Sequence, residues 1–369
     1  MEVSDTFYID TEEELKRFCD RLDNACCIGL DTEFLREKTY YAQPCLLQVS
    51  GNGLIACIDP LMISDLGRLR VLLFDPGIVK ILHACRQDIE ILLQMFAAIP
   101  GPIFDTQLAA AFCGYGDQLS YAALVELLAG VTLPKAHTRA RWCQRPLSDA
   151  EILYAEEDVR YLPGMYETLD RELTRKGRKD WFEAEMSRNT DAAGFEIDNG
   201  MAWQRIGAIR ALRGRSLQVA KQLAAWREDT ARNRDKPRRW IMSDPLVVAL
   251  AQEQPQTLQE LAVVEGMTDG LLKHRGAQIL TVIAEVGSVP PDMQAPVNVR
   301  PDAREKALSK ALAVIIDDKA TELDMPPSLL ATRRDLMALV QGERALPVLQ
   351  GWRSQLIGDA LLEKLETGA

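Results

Sequence analysis

The chain has 369 residues, of which 47% are hydrophobic and 26% charged, and its formal net charge at pH 7 is −11. This length suffices for two or three domains, and the composition is that of an ordinary folded protein. No run of about 18 apolar residues could span a bilayer, and the acidic N-terminus lacks the basic start and apolar core of a secretory signal. We therefore expect a cytoplasmic protein without membrane contact.

All eight cysteines lie between Cys19 and Cys143, and none forms a CxxC pair. This spacing predicts reduced, mostly buried thiols and argues against a zinc site. The charge is also uneven. Residues 201–240 contain 11 Lys or Arg and 3 Asp or Glu, a local net charge of +8, which leaves −19 on the remainder. Because a basic segment on an acidic body can still bind phosphates, the net charge does not exclude a nucleic-acid partner.

Short apolar runs bounded by turn-forming residues predict five strands in the first half. They are "CCIGLDTEFL" (26–35), "PCLLQVSG" (44–51), "GLIACIDP" (53–60), "VKILHA" (79–84) and "PIFDT" (102–106). The "GNG" between the second and third strands predicts a hairpin turn.

Apolar residues at helical spacing follow the fourth and fifth strands. The predicted helices are "DIEILLQMF" (88–96), "QLAAAFCG" (107–114), "YAALVELLAG" (121–130) and one long helix over 148–177. An antiparallel meander followed by strand–helix units predicts an α/β domain, in which helices flank a mixed sheet.

The second half shows helical periodicity only, and the Pro-rich segment 287–301 divides it into two parts. Each part has the size of a small helical bundle. We therefore predict an α/β domain over 1–190, followed by two all-α domains over 201–287 and 301–369.

Four carboxylates and one phenol stand out in the α/β domain. Asp31 and Glu33 are two residues apart on a strand and so point to the same face. Asp88 begins a helix after the fourth strand, and Tyr154 and Asp158 lie one helical turn apart. Each feature by itself has a simpler structural interpretation. Asp31 and Glu33 could be solvated acids, and Asp88 could be a capping acid. Tyr154 and Asp158 could be a surface pair.

Taken together, the four carboxylates can converge at one edge of a sheet. Such a cluster is unstable unless cations neutralise it, and hard oxygen ligands favour Mg²⁺ or Mn²⁺. Two such ions, about 4 Å apart, are the usual device for hydrolysis of a phosphodiester. Tyr154, whose ordinary pKa is about 10, would stay neutral and could orient the attacking water.

Three strings resemble the exonuclease motifs of the DEDD superfamily, in its tyrosine-containing branch: "DTEF", "HACRQD" and "YAEEDVRYL". The branch with histidine in place of the tyrosine is excluded, because no histidine lies between His137 and His274. Further strings narrow the resemblance to the ribonuclease D family: "REKTYYAQPCLLQVS", "FDTQLAAAFCG" and "RPLSDAEILYA". Two later segments resemble HRDC domains: "LAAWREDTARNRDKPRRWIMSDPLVVALA" and "ATRRDLMALV" with "GWRSQLIGDALL".

This resemblance implies a ribonuclease H-like fold and a role for each catalytic residue. Asp31 would bridge two divalent ions, Mg²⁺ or Mn²⁺. Glu33 and Asp158 would bind the ion on the nucleophile side, and Asp88 would bind the other. Tyr154 would position the water.

The resemblance also implies a 3′→5′ exoribonuclease that trims precursor tRNAs and other small structured RNAs and releases 5′-mononucleotides. RNA is thus the expected partner, and we expect a monomer. Two alternatives remain open: a 3′→5′ DNA exonuclease of the same superfamily, and a catalytically inactive RNA-binding protein.

RNA contacts are predicted at Phe34, Arg139, Arg141, Arg238 and Arg239. Arg141 departs from the family, which usually has an acid at that position, and a solvated basic loop is the simpler interpretation of residues 135–145.

Three further residues are predicted to have structural roles. They are Asp105 as a support, His83 as a hydrogen-bonded core histidine, and Trp240 as part of a helical core.

Overall fold

The computed structural model describes residues 5–134, 140–195, 198–288 and 301–367. They divide into two compact units. The first unit comprises Met1–Phe34, Pro44–Gly194 and Arg300–Ala369, and the second comprises Leu35–Gln43 and Phe195–Val299. None of the described helices is long and apolar enough to cross a bilayer.

A mixed sheet with the strand order β1-β4-β3-β2-β5-β6 forms the centre of the first unit. Its strands are β1 (Asp5–Ile9), β2 (Cys27–Leu35), β3 (Gln43–Gly51), β4 (Leu54–Ile58), β5 (Val79–Leu82) and β6 (Ile103–Asp105). β3 and β4 are antiparallel around Asn52 and Gly53, whose φ angles of 49° and 73° fit a tight hairpin turn. β1–β4, β2–β5 and β5–β6 are parallel pairs. The predicted mixed sheet and hairpin are confirmed, whereas β1 was not predicted.

Helices flank this sheet, as predicted. They are α1 (Glu12–Leu22), α2 (Gly67–Leu73), α3 (Arg86–Phe96), α4 (Thr106–Cys113), α5 (Tyr121–Ala129), α6 (Asp149–Arg160), α7 (Leu162–Arg175) and α8 (Lys179–Asn189), followed by the 3₁₀ turn Ala192–Gly194. α6 begins at a capping box formed by Ser148 and Glu151. The single helix predicted over 148–177 is in fact two, because Pro163 lies in the first turn of α7, where its missing N–H costs nothing.

The second unit is helical, as predicted. After 3₁₀ turns at Asn199–Arg205 and Gly207–Ala211, its helices are α9 (Gly214–Arg234), α10 (Arg238–Ile241), α11 (Asp244–Glu253), α12 (Leu258–Ala262) and α13 (Asp269–Ala284). Leu217, Leu223 and Leu250 lie in its buried core. The segment Leu35–Gln43 belongs to this unit: Tyr40 Oη donates to Glu228 Oε1 at 2.6 Å.

The C-terminal helices pack within the first unit. They are α14 (Ala303–Glu322), α15 (Pro327–Leu330), α16 (Arg333–Val340), α17 (Gly351–Arg353) and α18 (Asp359–Thr367), with a 3₁₀ turn at Pro347–Leu349 and a π turn at Ser354–Gly358. The Trp352 ring stacks on Trp181 of α8, with centroids 5.2 Å apart. Arg353 Nη1 lies 2.7 Å from Glu185 Oε2, also on α8. Two residues of α17 therefore cover Trp181 and Glu185 of α8.

One pair of cysteines differs from the expectation of reduced thiols. Cys45 and Cys143 form a disulfide, which joins β3 to the segment before α6. The other six cysteines are free, and five of them are buried. Burial keeps these thiols protonated; for Cys19 it raises the pKa to about 12.

Candidate active site

The five predicted catalytic residues line one cleft of about 510 Å³ in the first unit. β2 supplies two of them, α3 supplies one, and α6 supplies the other two. The site is therefore assembled from three segments that are distant in sequence, at one end of two neighbouring parallel strands.

Three carboxylates converge within this cleft. Asp31, Glu33 and Asp158 each present a carboxylate oxygen, and these oxygens all lie within 4.8 Å of one another. Asp31 and Glu33 share a face of β2 because strand side chains alternate. Asp158 reaches them from α6, which packs against that face.

Gly29 permits this close approach of helix and strand. A Cβ atom at Gly29 would lie 2.4 Å from Ser50 Oγ and 2.9 Å from Leu162 Cβ, both closer than atoms tolerate. Ser50 Oγ also donates to the carbonyl of Val159 at 2.7 Å, which fixes the end of α6 on the sheet. Gly29 and Ser50 therefore set the distance between Asp158 and β2.

Asp88 lines the same cleft, but among the described residues it is not part of the convergent group of three. Thr32 Oγ1 donates to Asp88 Oδ1 at 2.6 Å. Thr32 also lines the cleft, and the Asp88 charge lies close enough to the other carboxylates to raise the pKa values of Asp31 and Glu33.

Asp105 supports the turn that leads into α3. Its carboxylate accepts hydrogen bonds from Ala84 N at 3.1 Å and Cys85 N at 3.0 Å. It also caps α4 by accepting from Gln107 N at 2.8 Å. The prediction that Asp105 is structural is confirmed, and through this turn it positions Asp88.

Tyr154 lies one helical turn before Asp158 on α6, and both side chains line the cleft. Its ring centroid is 5.9 Å from that of Trp142, which is buried. The Trp142 segment is fixed by Arg145, which donates to the carbonyls of Trp142 and Cys45 at 2.6 Å and forms an ion pair with Asp59. Arg145 is therefore structural, although it lies in the loop for which RNA contact was considered.

Burial and mutual repulsion disfavour ionisation of the clustered acids. Burial, with the nearby Asp158 and Asp88 charges, raises the pKa of Glu33 to about 8. Burial raises the pKa of Asp158 to about 7 and that of Asp88 to about 6, and it raises the pKa of Asp31 well above its ordinary value. No Lys or Arg stands among the described residues that line the cleft, so none of these residues neutralises the carboxylates.

Tyr154 and His83, which both line the cleft, are neutral groups. Burial and the nearby Asp158 charge raise the pKa of Tyr154, so its hydroxyl stays protonated. His83 Nδ1 lies 2.9 Å from Thr106 Oγ1, and its Nε2 lies 3.0 Å from the carbonyl oxygen of Leu119. Burial lowers the pKa of His83. The predicted hydrogen bonding of His83 is confirmed, but the residue is half-buried and lines the cleft, so its predicted place in the core is wrong.

The predicted RNA-contacting residues belong to different parts of the chain. Phe34 lines the cleft, and Arg141 is exposed between Ala140 and Trp142, which also line it. Arg139 lies outside the described residues. Arg238 and Arg239 belong to the second unit.

Arg238 differs from its neighbours in the second unit. Arg238 Nε lies 2.5 Å from Glu228 Oε2, and its guanidinium carbon is 4.7 Å from the Tyr40 ring centroid. These contacts favour a structural role for Arg238. Arg239 is exposed, and Trp240 is 61% exposed, so the prediction that Trp240 fills the core is wrong.

Comparisons with known proteins agree with this geometry. A family model described as 3′-5′ exonuclease matches residues 6–174. The ribonuclease D of Acidiphilium cryptum is 39% identical over 362 residues, covering 96% of this chain and 91% of the relative. The chain belongs to the ribonuclease D family. It is therefore a 3′→5′ exoribonuclease of the DEDD superfamily.

Other members of the ribonuclease D family give the same result. The ribonuclease D of Granulibacter bethesdensis is 38% identical, covering 96% of this chain and 92% of the relative. The crystal structure of Escherichia coli RNase D superposes with a TM-score of 0.86 at 30% identity, covering 98% of this chain and 99% of that one. An HRDC model matches residues 216–283, so one HRDC domain is found where the sequence predicted two.

Sequence reasoning missed three residues that organise this ribonuclease D site. Thr32 lies inside the "DTEF" string, between the two acids that carry the motif. Gly29 lies two residues before Asp31, and a glycine within a predicted strand can indicate close approach of another backbone. The contact of Trp142 with Tyr154 could not be predicted from the sequence, because it depends on the path of the loop before α6.

Proposed function

We propose that this exoribonuclease trims the 3′ ends of precursor tRNAs and other small structured RNAs and releases 5′-mononucleotides by two-metal-ion hydrolysis. The observation that carries the proposal is the convergence of Asp31, Glu33 and Asp158 in a cleft where Asp88 and Tyr154 also lie. The similar RNase D of Escherichia coli is described as an exoribonuclease involved in structured RNA processing, which supports the choice of substrate class.

The residues of the cleft fit divalent cations. Buried carboxylates whose pKa values are raised by burial and mutual repulsion must either keep protons or bind cations. Hard oxygen ligands suit Mg²⁺ or Mn²⁺. Asp31, Glu33 and Asp158 would hold the ion on the nucleophile side, and Asp31 would share the second ion with Asp88. When bound, such ions lower the pKa of a bound water and neutralise charge on the attacking and leaving oxygens.

The chain's own residues would orient the reactants. Tyr154, protonated and adjacent to Asp158, can donate or accept a hydrogen bond and so direct the attacking water at the terminal phosphodiester. It would not act as a base, because its raised pKa disfavours the phenolate. Thr32 holds Asp88 by a hydrogen bond, and Trp142 supports the Tyr154 ring.

Two residues in or beside the cleft could contact RNA. We propose that Phe34, which lines the cleft, packs against the terminal nucleotide and that exposed Arg141 contacts a phosphate. The prediction for Arg139 stands on the sequence alone. A monomer acting in the cytoplasm also remains a proposal.

The helices α14–α18 are proposed to be a second HRDC-like module, on the resemblance of "ATRRDLMALV" and "GWRSQLIGDALL". The three-domain division likewise remains a proposal.

The test uses purified full-length protein and a tRNA with a 3′ extension and a 5′ label. With Mg²⁺ or Mn²⁺, a ladder that shortens by one nucleotide at a time should appear, and EDTA should abolish it. Chromatography of the products should give nucleoside 5′-monophosphates. A matched DNA strand should be hydrolysed much more slowly, and equal rates would contradict the choice of RNA.

Two variants control for a contaminating nuclease. Asp31→Asn removes one carboxylate of the convergent group and should lower turnover by several orders of magnitude without loss of fold. Asp149→Asn, an exposed acid on the first turn of α6, should retain normal activity. Equal activity of Asp31→Asn and Asp149→Asn would overturn the metal site.

A further inference from the structure

Gln48 of β3 is a buried polar residue to which the proposed mechanism gives no role. Its side chain is fully buried. The amide Nε2 and Oε1 atoms both lack a hydrogen-bond partner among the residues that the structure describes. Most buried polar groups in proteins are hydrogen-bonded, because a dry, unpaired amide has lost its bonds to water without replacement. A glutamine at this position therefore calls for a reason other than packing.

The surroundings of two glycines show how β3 lies against β2, its neighbour in the sheet. A Cβ atom at Gly51 would lie 3.1 Å from Ile28 Cγ2. A Cβ atom at Gly29 would lie 2.4 Å from Ser50 Oγ. One step forward on β2 thus corresponds to one step back on β3, which is the register of an antiparallel pair.

Two residues forward on β2 and two residues back on β3, the same register places Gln48 beside Asp31. Because strand side chains alternate, Gln48 lies on the same face as Ser50 and Asp31 on the same face as Gly29. This face is covered by α6, where the carbonyl of Val159 accepts a hydrogen bond from Ser50 Oγ at 2.7 Å. Residues directly opposite each other on neighbouring strands have Cβ atoms about 4.5–5.5 Å apart. The amide of Gln48 can therefore reach the carboxylate of Asp31.

The neighbour of Gln48 on its other side is a much weaker partner. Gln48 pairs with Cys57 of β4, whose side chain is also fully buried. A thiol is only a weak donor and a weak acceptor. Burial is the main cause that raises the pKa of Cys57, and the charges of Glu156, Asp158 and Asp31 add to it. Of the two neighbours, only Asp31 is a strong acceptor, and its charge is felt across the strip that Gln48 occupies.

We propose that Gln48 is a positioning residue for Asp31, and that its amide Nε2 donates a hydrogen bond to the Asp31 carboxylate when this carboxylate binds a cation. This role rests on the proposed function, since it assumes the divalent ions. The last torsion of a glutamine side chain is soft, so the amide can turn toward Asp31 without movement of the strand. A hydrogen bond to an ionised acceptor is also stronger than one to a neutral group. Such a bond fixes the orientation of a metal ligand from behind.

Calorimetric titration of the full chain with Mg²⁺, in the absence of RNA, tests this role. Gln48→Met keeps the length of the side chain and removes both polar atoms. It should weaken Mg²⁺ binding by about 10- to 100-fold, the usual effect of losing a residue that holds a metal ligand. Its unfolding midpoint in EDTA should not fall, because an apolar side chain of similar shape replaces an unpaired amide. A residue that only supports the fold would give lower stability and unchanged metal affinity.

Gln107→Met is the matched control. Gln107 Nε2 donates to the carbonyl of Leu119 at 2.9 Å, so this amide already has a partner in the protein, and Gln107 does not line the cleft. The control variant should have a lower unfolding midpoint and should bind Mg²⁺ as the unaltered protein does. Equal Mg²⁺ affinity of Gln48→Met and the unaltered protein would overturn the proposal.

A spectroscopic measurement on the unaltered sequence covers the case in which Gln48→Met does not fold. The glutamine side chains are labelled with ¹⁵N, and their amide signals are followed while Mg²⁺ is added. The Gln48 amide signal should shift, and its hydrogens should exchange more slowly with water. The Gln107 signal should stay where it is. A Gln48 signal that does not move at saturating Mg²⁺ would refute the hydrogen bond to Asp31.

Failure of this proposal can be distinguished from failure of the proposed function. If Gln48 does not position Asp31, the unaltered protein still binds Mg²⁺ and shortens the 3′-extended tRNA, and Gln48→Met binds Mg²⁺ equally well. If the proposed two-metal chemistry is wrong, the unaltered protein and Asp31→Asn give the same Mg²⁺ titration.

Discussion

Thr32 on β2 and Asp88 on α3 are joined by a hydrogen bond of 2.6 Å between two buried side chains. Burial raises the pKa of Asp88 to about 6, and the Thr32 hydroxyl opposes that rise by stabilising the ionised form. Thr32 thus favours the ionised form of Asp88, which is the form that could bind a cation.

Thr32→Val tests this relationship, because valine keeps the shape of the side chain and removes the donor. A hydrogen bond to a charged group contributes about 1.5–3 kcal/mol, so kcat/KM at pH 7 should fall by about 10- to 100-fold. Part of the loss should disappear at higher pH, where Asp88 ionises without help. Thr32→Ser should behave as the unaltered protein does. Identical pH profiles for the valine and serine variants would show that the hydroxyl has no such role.

Tyr154→Phe keeps the ring against Trp142 and every carboxylate but removes the hydroxyl. Metal affinity, measured by calorimetry, should be maintained, while the hydrolysis rate should fall by about 10²-fold or more. Tyr8→Phe is the control, because Tyr8 Oη donates to the carboxylate of Asp59 at 2.6 Å and Tyr8 does not line the cleft. That variant should lose stability and keep its rate. A Tyr154→Phe protein that lost metal but kept its rate would contradict the assignment.

The stability of the metal-free protein should depend on pH. The pKa values of Asp88, Asp158 and Glu33 are raised to about 6, 7 and 8, so the folded protein holds protons that the unfolded chain releases at lower pH. In EDTA, the free energy of unfolding should therefore fall as the pH rises from 6 to 8. Urea titrations at several pH values measure this slope.

Two changes should flatten that slope. Asp31→Asn removes one charge from the cluster and so lowers the cost of ionising the others, which should raise stability at pH 8. Saturating Mg²⁺ should stabilise the unaltered protein most at high pH, because binding then displaces fewer protons. Asp149→Asn should keep the slope of the unaltered protein. A steep slope retained in Asp31→Asn would mean that other groups cause it.

Trp352→Ala should destabilise the first unit through contacts with residues that do not line the cleft. Trp352 is 8% exposed, and its ring contacts Trp181 and Phe112 at centroid distances of 5.2 and 5.6 Å. Removing a buried tryptophan costs about 3–5 kcal/mol of unfolding free energy, whereas Trp240→Ala should cost little, because Trp240 is exposed. Denaturant curves of the two variants measure the difference. At a temperature where both remain folded, trinucleotide hydrolysis should be normal.

The clustering of the candidate catalytic residues could be predicted in part from the sequence, because two pairs of them are local. Asp31 and Glu33 share a strand, and Tyr154 and Asp158 share a helix, so periodicity alone places each pair on one face. The mixed sheet followed from turn signals such as Asn52–Gly53. β1 was missed because its pairing is not local: Asp5 pairs with Leu54 and Ile9 with Ile58.

Burial and pairing of the charged residues could not be predicted in the same way. Arg238 and Arg239 are adjacent in sequence, yet one is paired with Glu228 and the other is exposed. Trp240 looked like a core residue because tryptophan usually is, and only the packing of the helices shows that Trp203 lies in that core instead. Such differences depend on which face of a short helix meets a neighbour, and a four-residue helix has no periodicity to show it.

The packing of α14–α18 on α8 has a consequence for protein synthesis. The ribosome makes the chain from its N-terminus, and domains generally fold as they emerge. When α8 has emerged, the residues that cover its Trp181 and Glu185 have not yet been translated. The first unit therefore remains incomplete until these later helices have left the ribosome, so its final stability is reached only after they have been made.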